Sequence, residues 1–308
     1  MENLEADVTE HPAWATACLN CRHELHGPFC AHCGQRAMPP HPTLAELTAD
    51  AYQELVGWDG KVLHTLRTLL TRPGEATRTM LDGQRARYIP PFRLYLLCSV
   101  IYFVAASATV PPDISEMRVE VGVGIGRDDT VRTPDSDALL KALAYRLDTL
   151  SPEEREAAER EIARQPRIFQ PLLRTIAMDY AGFRRRVAEI MPRALFLLIP
   201  VLAAILGMFH RRRRYADHLY FSLHFQTVVF VALTVPALFS YGAPFELQVT
   251  AQGVAVAWIL VYAVLAQRRV YGGSWGATIL KAVGTGALYS MLWSAISLGI
   301  AFWISRGP

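Results

Sequence analysis

The chain has 308 residues, 52% hydrophobic and 19% charged, with a mean hydropathy of +0.18 and a formal net charge of +3. That balance excludes an ordinary soluble domain, and so small a positive excess gives no electrostatic footprint for nucleic acid. Charge is also segregated, with long apolar runs filling the last hundred residues, as expected where lipid solvates part of the chain.

Residues 1–36 form an N-terminal tail and a cysteine-rich segment. Met1 to Trp14 is acidic and lacks an apolar stretch, so no cleavable signal peptide is expected and the cysteines should stay in the reducing cytoplasm. Cys18-Leu19-Asn20-Cys21 and Cys30-Ala31-His32-Cys33 are two C-x-x-C pairs separated by eight residues. Each pair presents two thiolates from one tight turn, so four sulfurs can converge at about 2.3 Å on a tetrahedral zinc ion. Gly34 follows the second pair, where a positive φ lets amides point at sulfur. A rubredoxin-like iron site would use similar ligands. A thioredoxin-like pair would need a βαβ context that is missing here. His23, His26 and His32 read as surface residues, because four cysteines already complete the shell. A closed shell folds the segment rather than catalysing. Cys98 stands alone in an apolar run and reads as a small buried hydrophobe.

Residues 37–93 carry amphipathic helices. Thr43-Leu44-Ala45-Glu46 is a capping box, followed by Leu44, Leu47, Ala51 and Leu55 at helical spacing. Gly57-Trp58-Asp59-Gly60 breaks that helix; a second, with Val62, Leu63, Leu66, Leu69 and Leu70, ends at Arg72-Pro73-Gly74. Two arrangements stay open: packing under the spans, or docking in the membrane interface, with Trp58 and Tyr88 at headgroup level. Arg85, Arg87 and Arg93 are candidate contacts for lipid headgroups, although such clusters more often only fix topology.

A spanning helix needs about 20 mostly apolar residues. Five segments qualify: Leu94–Val110, Ala194–Phe209, Leu219–Tyr241, Val249–Ala266 and Ala277–Ile304. They assign 94–110 to a first span, 111–192 to an extramembrane helical connection and 193–308 to a four-span bundle. A variant with four spans has the first run lying re-entrant or interfacial. Arginines cluster before the first span, at Arg211 to Arg214, and at Arg268 and Arg269. With the N-terminus inside, all three clusters face the cytoplasm, matching the positive-inside bias; Arg184 to Arg186 resist it, but long loops translocate regardless of charge.

In the connection, Gly122, Gly124 and Gly126 suggest a short strand or turn without the context of a dinucleotide site. Leu139, Leu140, Leu143, Leu147 and Leu150 mark a helix, and Ser151-Pro152-Glu153-Glu154 starts another with a capping box. Within the third span, His224 and Gln226, with Asp217 seven residues before His224, form a candidate intramembrane polar site. Hydrogen bonding between helices and proton or metal handling are both consistent with it. Gly286, Ser290 and Ser294 at small-x-x-x-small spacing let another helix approach closely, and oligomerisation stays open.

The stretches CLNCRHELHGPFCAHCGQR (Cys18 to Arg36), TLLTRPGEATRTMLDGQRARYIPPFRLYLL (Thr68 to Leu97) and HLYFSLHFQTVVF (His218 to Phe230) resemble the bacterial membrane proteins of domain-of-unknown-function family 3667. The resemblance implies a zinc ribbon followed by a multi-span membrane region, and it brings no activity. The expected fold is therefore mostly α: a helical membrane bundle of about five spans with an N-terminal four-cysteine zinc ribbon and amphipathic helices. No nucleophile–base pair or open metal site is visible, so no catalytic residue is assigned. The expected role is non-enzymatic docking, scaffolding or regulation in the bacterial inner membrane, with structural zinc, the lipid bilayer and a cytoplasmic protein as partners. The alternative is a small-molecule or lipid transporter using the polar face of the third span.

Overall fold

The computed structural model describes residues 16–37, 61–108, 151–239 and 242–306. Among the described residues the fold is helical, with nine helices and no strand. The capping box at Thr43, Trp58, the glycines around Gly124 and the leucines from Leu139 to Leu150 lie outside the described residues. The chain divides into two compact units, Met1–Ala106 with Leu198–Tyr289, and Ser107–Leu197 with Ser290–Pro308.

The first unit begins with the cysteine ribbon. It continues through α1 (Val62–Thr71), α2 (Glu75–Leu81) and most of α3 (Pro91–Ala108). Arg72-Pro73-Gly74 ends α1 as expected, but the chain re-enters a helix at once. Gly74 caps α2 at φ 76, and a Cβ there would lie 2.8 Å from the Ala266 carbonyl oxygen. Only glycine permits both the left-handed backbone and that approach. Ala76, Thr77, Met80 and Leu81 are the buried face of α2.

The remaining long helices are α6 (Tyr180–Phe209), α7 (Tyr215–Phe239), α8 (Phe245–Tyr271) and α9 (Trp275–Arg306). All four are long and apolar enough to cross a membrane. Their outward faces carry aliphatic residues in the open, such as Val254, Leu260, Leu280 and Met291, as lipid contact requires. In α7 the pattern reverses: residues from Ala216 to Val228 are almost all buried, polar ones included. They are covered because α7 packs against α8, α2 and α1.

Three boundaries differ from the sequence reading. α6 starts at Tyr180 rather than near Ala194, so Arg184 to Arg186 lie on the same helix as the apolar run. α8 starts at Phe245, because Glu246 occupies its first turn, where the helix dipole favours a carboxylate. The first apolar run forms α3, 18 residues long and shorter than the other four. About five expected spans thus become four of full length and one shorter apolar helix. Even so, Tyr95, Tyr102 and Phe103 of α3 all contact Phe230 of α7, with ring centroids 5.3–5.9 Å apart.

In the second unit, α4 (Pro152–Arg164) starts with the expected capping box. The Ser151 hydroxyl accepts from the Glu154 amide, and the Glu154 carboxylate accepts from the Ser151 amide. The buried apolar residues of this unit include Ala157, Ala158 and Ile162 of α4, Ala177 of α5 (Gln170–Met178) and Ile304. Phe169 packs on Phe302, and the Thr175 hydroxyl donates to the Ser305 carbonyl at 3.4 Å.

Candidate metal centre and the buried polar residues

The ribbon consists of two turns with the same wiring. In the first, the Cys18 amide donates to the His23 carbonyl (2.8 Å) and the Arg22 amide to the Cys18 carbonyl (2.7 Å). In the second, the Cys30 amide donates to the Gln35 carbonyl (2.8 Å) and the Gly34 amide to the Cys30 carbonyl (2.8 Å). Each turn is closed by one isolated antiparallel bridge, Ala17 with Glu24 and Phe29 with Arg36. The residue after each second cysteine is left-handed, Arg22 at φ 60 and Gly34 at φ 74. Arg22 is the position that sequence reasoning missed, since arginine gives no hint of positive φ.

The four sulfurs lie within 4.8 Å of one another, and Cys18 to Cys33 and Cys21 to Cys30 are each 3.5 Å apart. A disulfide needs about 2.05 Å, whereas a tetrahedron with 2.3 Å metal–sulfur bonds has edges of about 3.8 Å. The separations therefore fit a metal ion. Backbone amides already favour thiolates at two sulfurs. The Cys33 amide, and with it that of His32, lowers the Cys30 thiol despite its desolvation. Desolvation pushes the Cys33 thiol up, but the Gln35 amide and the Asn20 side chain outweigh it and bring it to about 7. At Cys21 the His23 amide favours the thiolate, yet desolvation and the neighbouring sulfurs win and raise it to about 12. Four thiolates cannot gather at this distance without a cation to offset their repulsion, and a divalent ion supplies that charge. The four cysteines can therefore hold a metal ion.

His23 and His32 stack on each other at 4.9 Å, and His26 is exposed beside Glu24. Cys98 is buried on α3.

The ribbon is fastened to the loop before α3. Gln35 Nε2 donates to the Gly83 carbonyl at 2.8 Å, and its Oε1 accepts from the Arg85 and Ala86 amides, both at 2.9 Å. Gly83 sits at φ 88 under Leu19, whose Cδ1 would be 2.6 Å from a Cβ at that position. From the other side, Lys61 Nζ donates to the Ala86 carbonyl at 2.9 Å, and the Ile89 amide donates to the buried Thr65 hydroxyl at 3.2 Å. Of the predicted headgroup contacts, Arg87 is exposed, while Arg85 has a buried Nε and is less open.

Asp217, His224 and Gln226 are all buried on α7, and His224 and Gln226 bond to different helices. His224 Nδ1 is 2.9 Å from the Thr77 hydroxyl of α2, while its Nε2 has no hydrogen-bond partner among the described residues. Gln226 Nε2 donates to the Tyr289 hydroxyl of α9. Between them in role is His218, which sequence reasoning did not single out; its Nδ1 is 2.9 Å from the Tyr271 hydroxyl of α8. Tyr271 also stacks on His210, at 4.0 Å, in the loop between α6 and α7. Burial, helped by the Lys281 charge, lowers His210 to about 4. One helix thus ties three others by side-chain hydrogen bonds. The sequence signal was the polar residues Asp217, His224 and Gln226 in an apolar run; the partners of His224 and Gln226 lie far away in the chain.

Residues 59–103 match the model of the family described as "Protein of unknown function (DUF3667)". The match covers one of the three stretches that carry the resemblance, Thr68 to Leu97, and the segment holds α1, the Gly74 turn, α2, the clamped loop and the start of α3. No curated protein and no solved structure matches the chain.

Proposed function

We propose that this protein is a non-enzymatic scaffold of the bacterial inner membrane, whose zinc-bound ribbon docks a protein on the cytoplasmic side. The observation that carries the reading is the closed four-sulfur shell clamped by Gln35 to the loop leading into the membrane helices. Such a shell leaves no coordination position for a substrate, so zinc serves folding. The clamp hands any force or ordering at the ribbon to the bundle. Phe29, 60% exposed on the ribbon, offers an aromatic anchor to a partner.

Orientation is supported by contacts within the first unit. Arg78 Nη1 of α2 donates to the Arg269 carbonyl at 3.0 Å, and Arg269 pairs with Glu75 at 3.6 Å. The ribbon-bearing segment therefore sits at the end of α8 that carries Arg268 and Arg269, and at the start of α7 that follows Arg211 to Arg214. Three basic clusters at one end fit a cytoplasmic N-terminus.

Crosslinking in cells followed by purification of the full chain tests the docking role. Phe29→Asp should remove a specific partner while keeping one zinc per chain, and Cys18→Ser/Cys21→Ser should remove both. Identical partner lists in all three proteins would sink the proposal. A transport role for α7 draws on His224 Nε2, buried without a hydrogen-bond partner among the described residues. A reconstituted flux that responds to His224→Ala would favour it.

A further inference from the structure

We infer that the groove between α1 and the clamped loop is a binding site for a phosphate group, as carried by a phospholipid headgroup or by free phosphate. The groove has a volume of about 440 Å³. One wall is a single face of α1, where His64, Arg67, Thr68 and Thr71 recur at helical spacing. The other is the loop residues Arg87 and Tyr88.

The floor is formed by an aromatic pair and a buried threonine. Tyr88 is 3% exposed and stacks in parallel on His64 at 5.7 Å, and Thr68 is buried. Over this floor stand the guanidinium groups of Arg67 and Arg87, both on exposed residues. Among the described residues neither has a carboxylate within ion-pair distance. Arg72, at the end of the groove, differs, because Glu75 holds it at 3.0 Å. That Glu75 carboxylate is shared with Arg269, so it does not neutralise the other two arginines.

Arg67 and Arg87 both line the groove, Arg87 lying over the Tyr88 ring at 5.8 Å, and the one carboxylate in the lining, Glu75, is engaged by Arg72 and Arg269. Arginine's planar fork matches phosphate oxygens two at a time. A carboxylate would satisfy one fork, whereas the three or more oxygens of a phosphate can serve both. The backbone on either side of Arg87 is held by Gln35, Lys61 and Thr65, so the loop that carries it is fixed before any ligand binds. Arg93, the neighbouring arginine in the sequence, does not line the groove. The loop runs straight into Pro90 and α3, which places the groove at the entry to an apolar helix, as a headgroup site requires.

The test uses the full metal-bound chain in neutral phosphatidylcholine nanodiscs. One arm titrates inorganic phosphate and glycerol phosphate by calorimetry. The other adds phosphatidylglycerol to the nanodiscs and counts lipids retained by native mass spectrometry. Binding in the first arm identifies a free phosphate, and retention in the second alone identifies a lipid headgroup; either supports the site. Arg67→Gln/Arg87→Gln should weaken binding at least about tenfold, while Arg211→Gln/Arg212→Gln, which removes as much charge from an exposed loop, should change it less than about twofold. Zinc content and elution volume confirm folding, and Arg67→Gln alone carries the comparison where the double variant fails to fold. No binding in either arm, or equal loss in the two double variants, overturns the inference.

Discussion

Replacing Gln35 by alanine isolates the joint between ribbon and membrane segment without touching a metal ligand. The side chain makes three hydrogen bonds to residues 83–86, one as donor and two as acceptor, all between 2.8 and 2.9 Å. At about 1 kcal/mol net each, with two loop amides losing their acceptor, the loss is about 2–4 kcal/mol of local ordering. Each 1.4 kcal/mol is about tenfold in an equilibrium, so the open loop should be populated some 30- to several-hundred-fold more often. Arg85 and Arg87 are the trypsin sites in this loop. Where opening is fast relative to cleavage, the cleavage rate follows that population. Limited trypsinolysis with mass-spectrometric mapping should then show Gln35→Ala cut at Arg85 or Arg87 far faster than the parent protein, at equal metal content. Gln35→Glu keeps both acceptor bonds and should fall between them. Chelation of the metal should reproduce the Gln35→Ala pattern in the parent protein. Gln35→Ala cut at the parental rate, with the metal retained, would refute the clamp.

Thr77→Val removes the hydroxyl that partners buried His224 and should cost about 1–3 kcal/mol, read as a fall in thermal midpoint in detergent, while Thr77→Ser stays near the parent. Gly74→Ala adds a Cβ 2.8 Å from the Ala266 oxygen at φ 76, whereas Gly272→Ala, at φ 72, meets open space. Both should lower the thermal midpoint, since Gly272 at φ 72 and ψ −166 lies in a region kept for glycine, costing about 1–3 kcal/mol, while Gly74→Ala adds its clash with the Ala266 oxygen to left-handed strain of about 1–2 kcal/mol. His210 lies near 4 in the folded protein, below its unfolded value of about 6.5, so folding disfavours its proton. Its contribution is complete above pH 6.5 and is lost as the pH falls toward 4, by about 1–2 kcal/mol after solvent screening. A stability profile that is as steep in His210→Gln as in the parent would show that other groups carry the acid dependence.

How much of this was legible in the sequence depends on the range of the interaction. The two C-x-x-C pairs, the Ser151 capping box and the apolar runs are local patterns, and each matches the structure because its physics closes within a few residues. Residue 22 was not legible, since its left-handed backbone is imposed by the ribbon turn and not by arginine. Nor was α2, a seven-residue helix too short to stand by propensity. It exists because Thr77, Met80 and Leu81 find burial against the bundle and Gly74 lets its start reach Ala266. The polar residues of α7 were visible, but reading them as one site assumed that a shared face implies a shared partner. The structure gives His224 to α2, His218 to α8 and Gln226 to α9, because three different neighbours surround one helix.

These contacts link the ribbon to the bundle in a short series. Gln35 fixes residues 83–86, Thr65 fixes Ile89 of the same loop to α1, the Gly74 turn joins α1 to α2, and Thr77 of α2 reaches His224 inside α7. Every step is a hydrogen bond or a tight backbone turn, so none can slip without an exposed consequence that a protease or a melting curve detects. Coupling through such a series requires that its first and last members respond together. Metal removal should therefore lower the protection of the Thr77–His224 contact as well as that of the loop, and because coupling between two sites is reciprocal, Thr77→Val should weaken metal affinity by the same factor. Hydrogen exchange across α2 and the start of α7, with and without chelator, separates a ribbon that organises the bundle from one that merely rests on it.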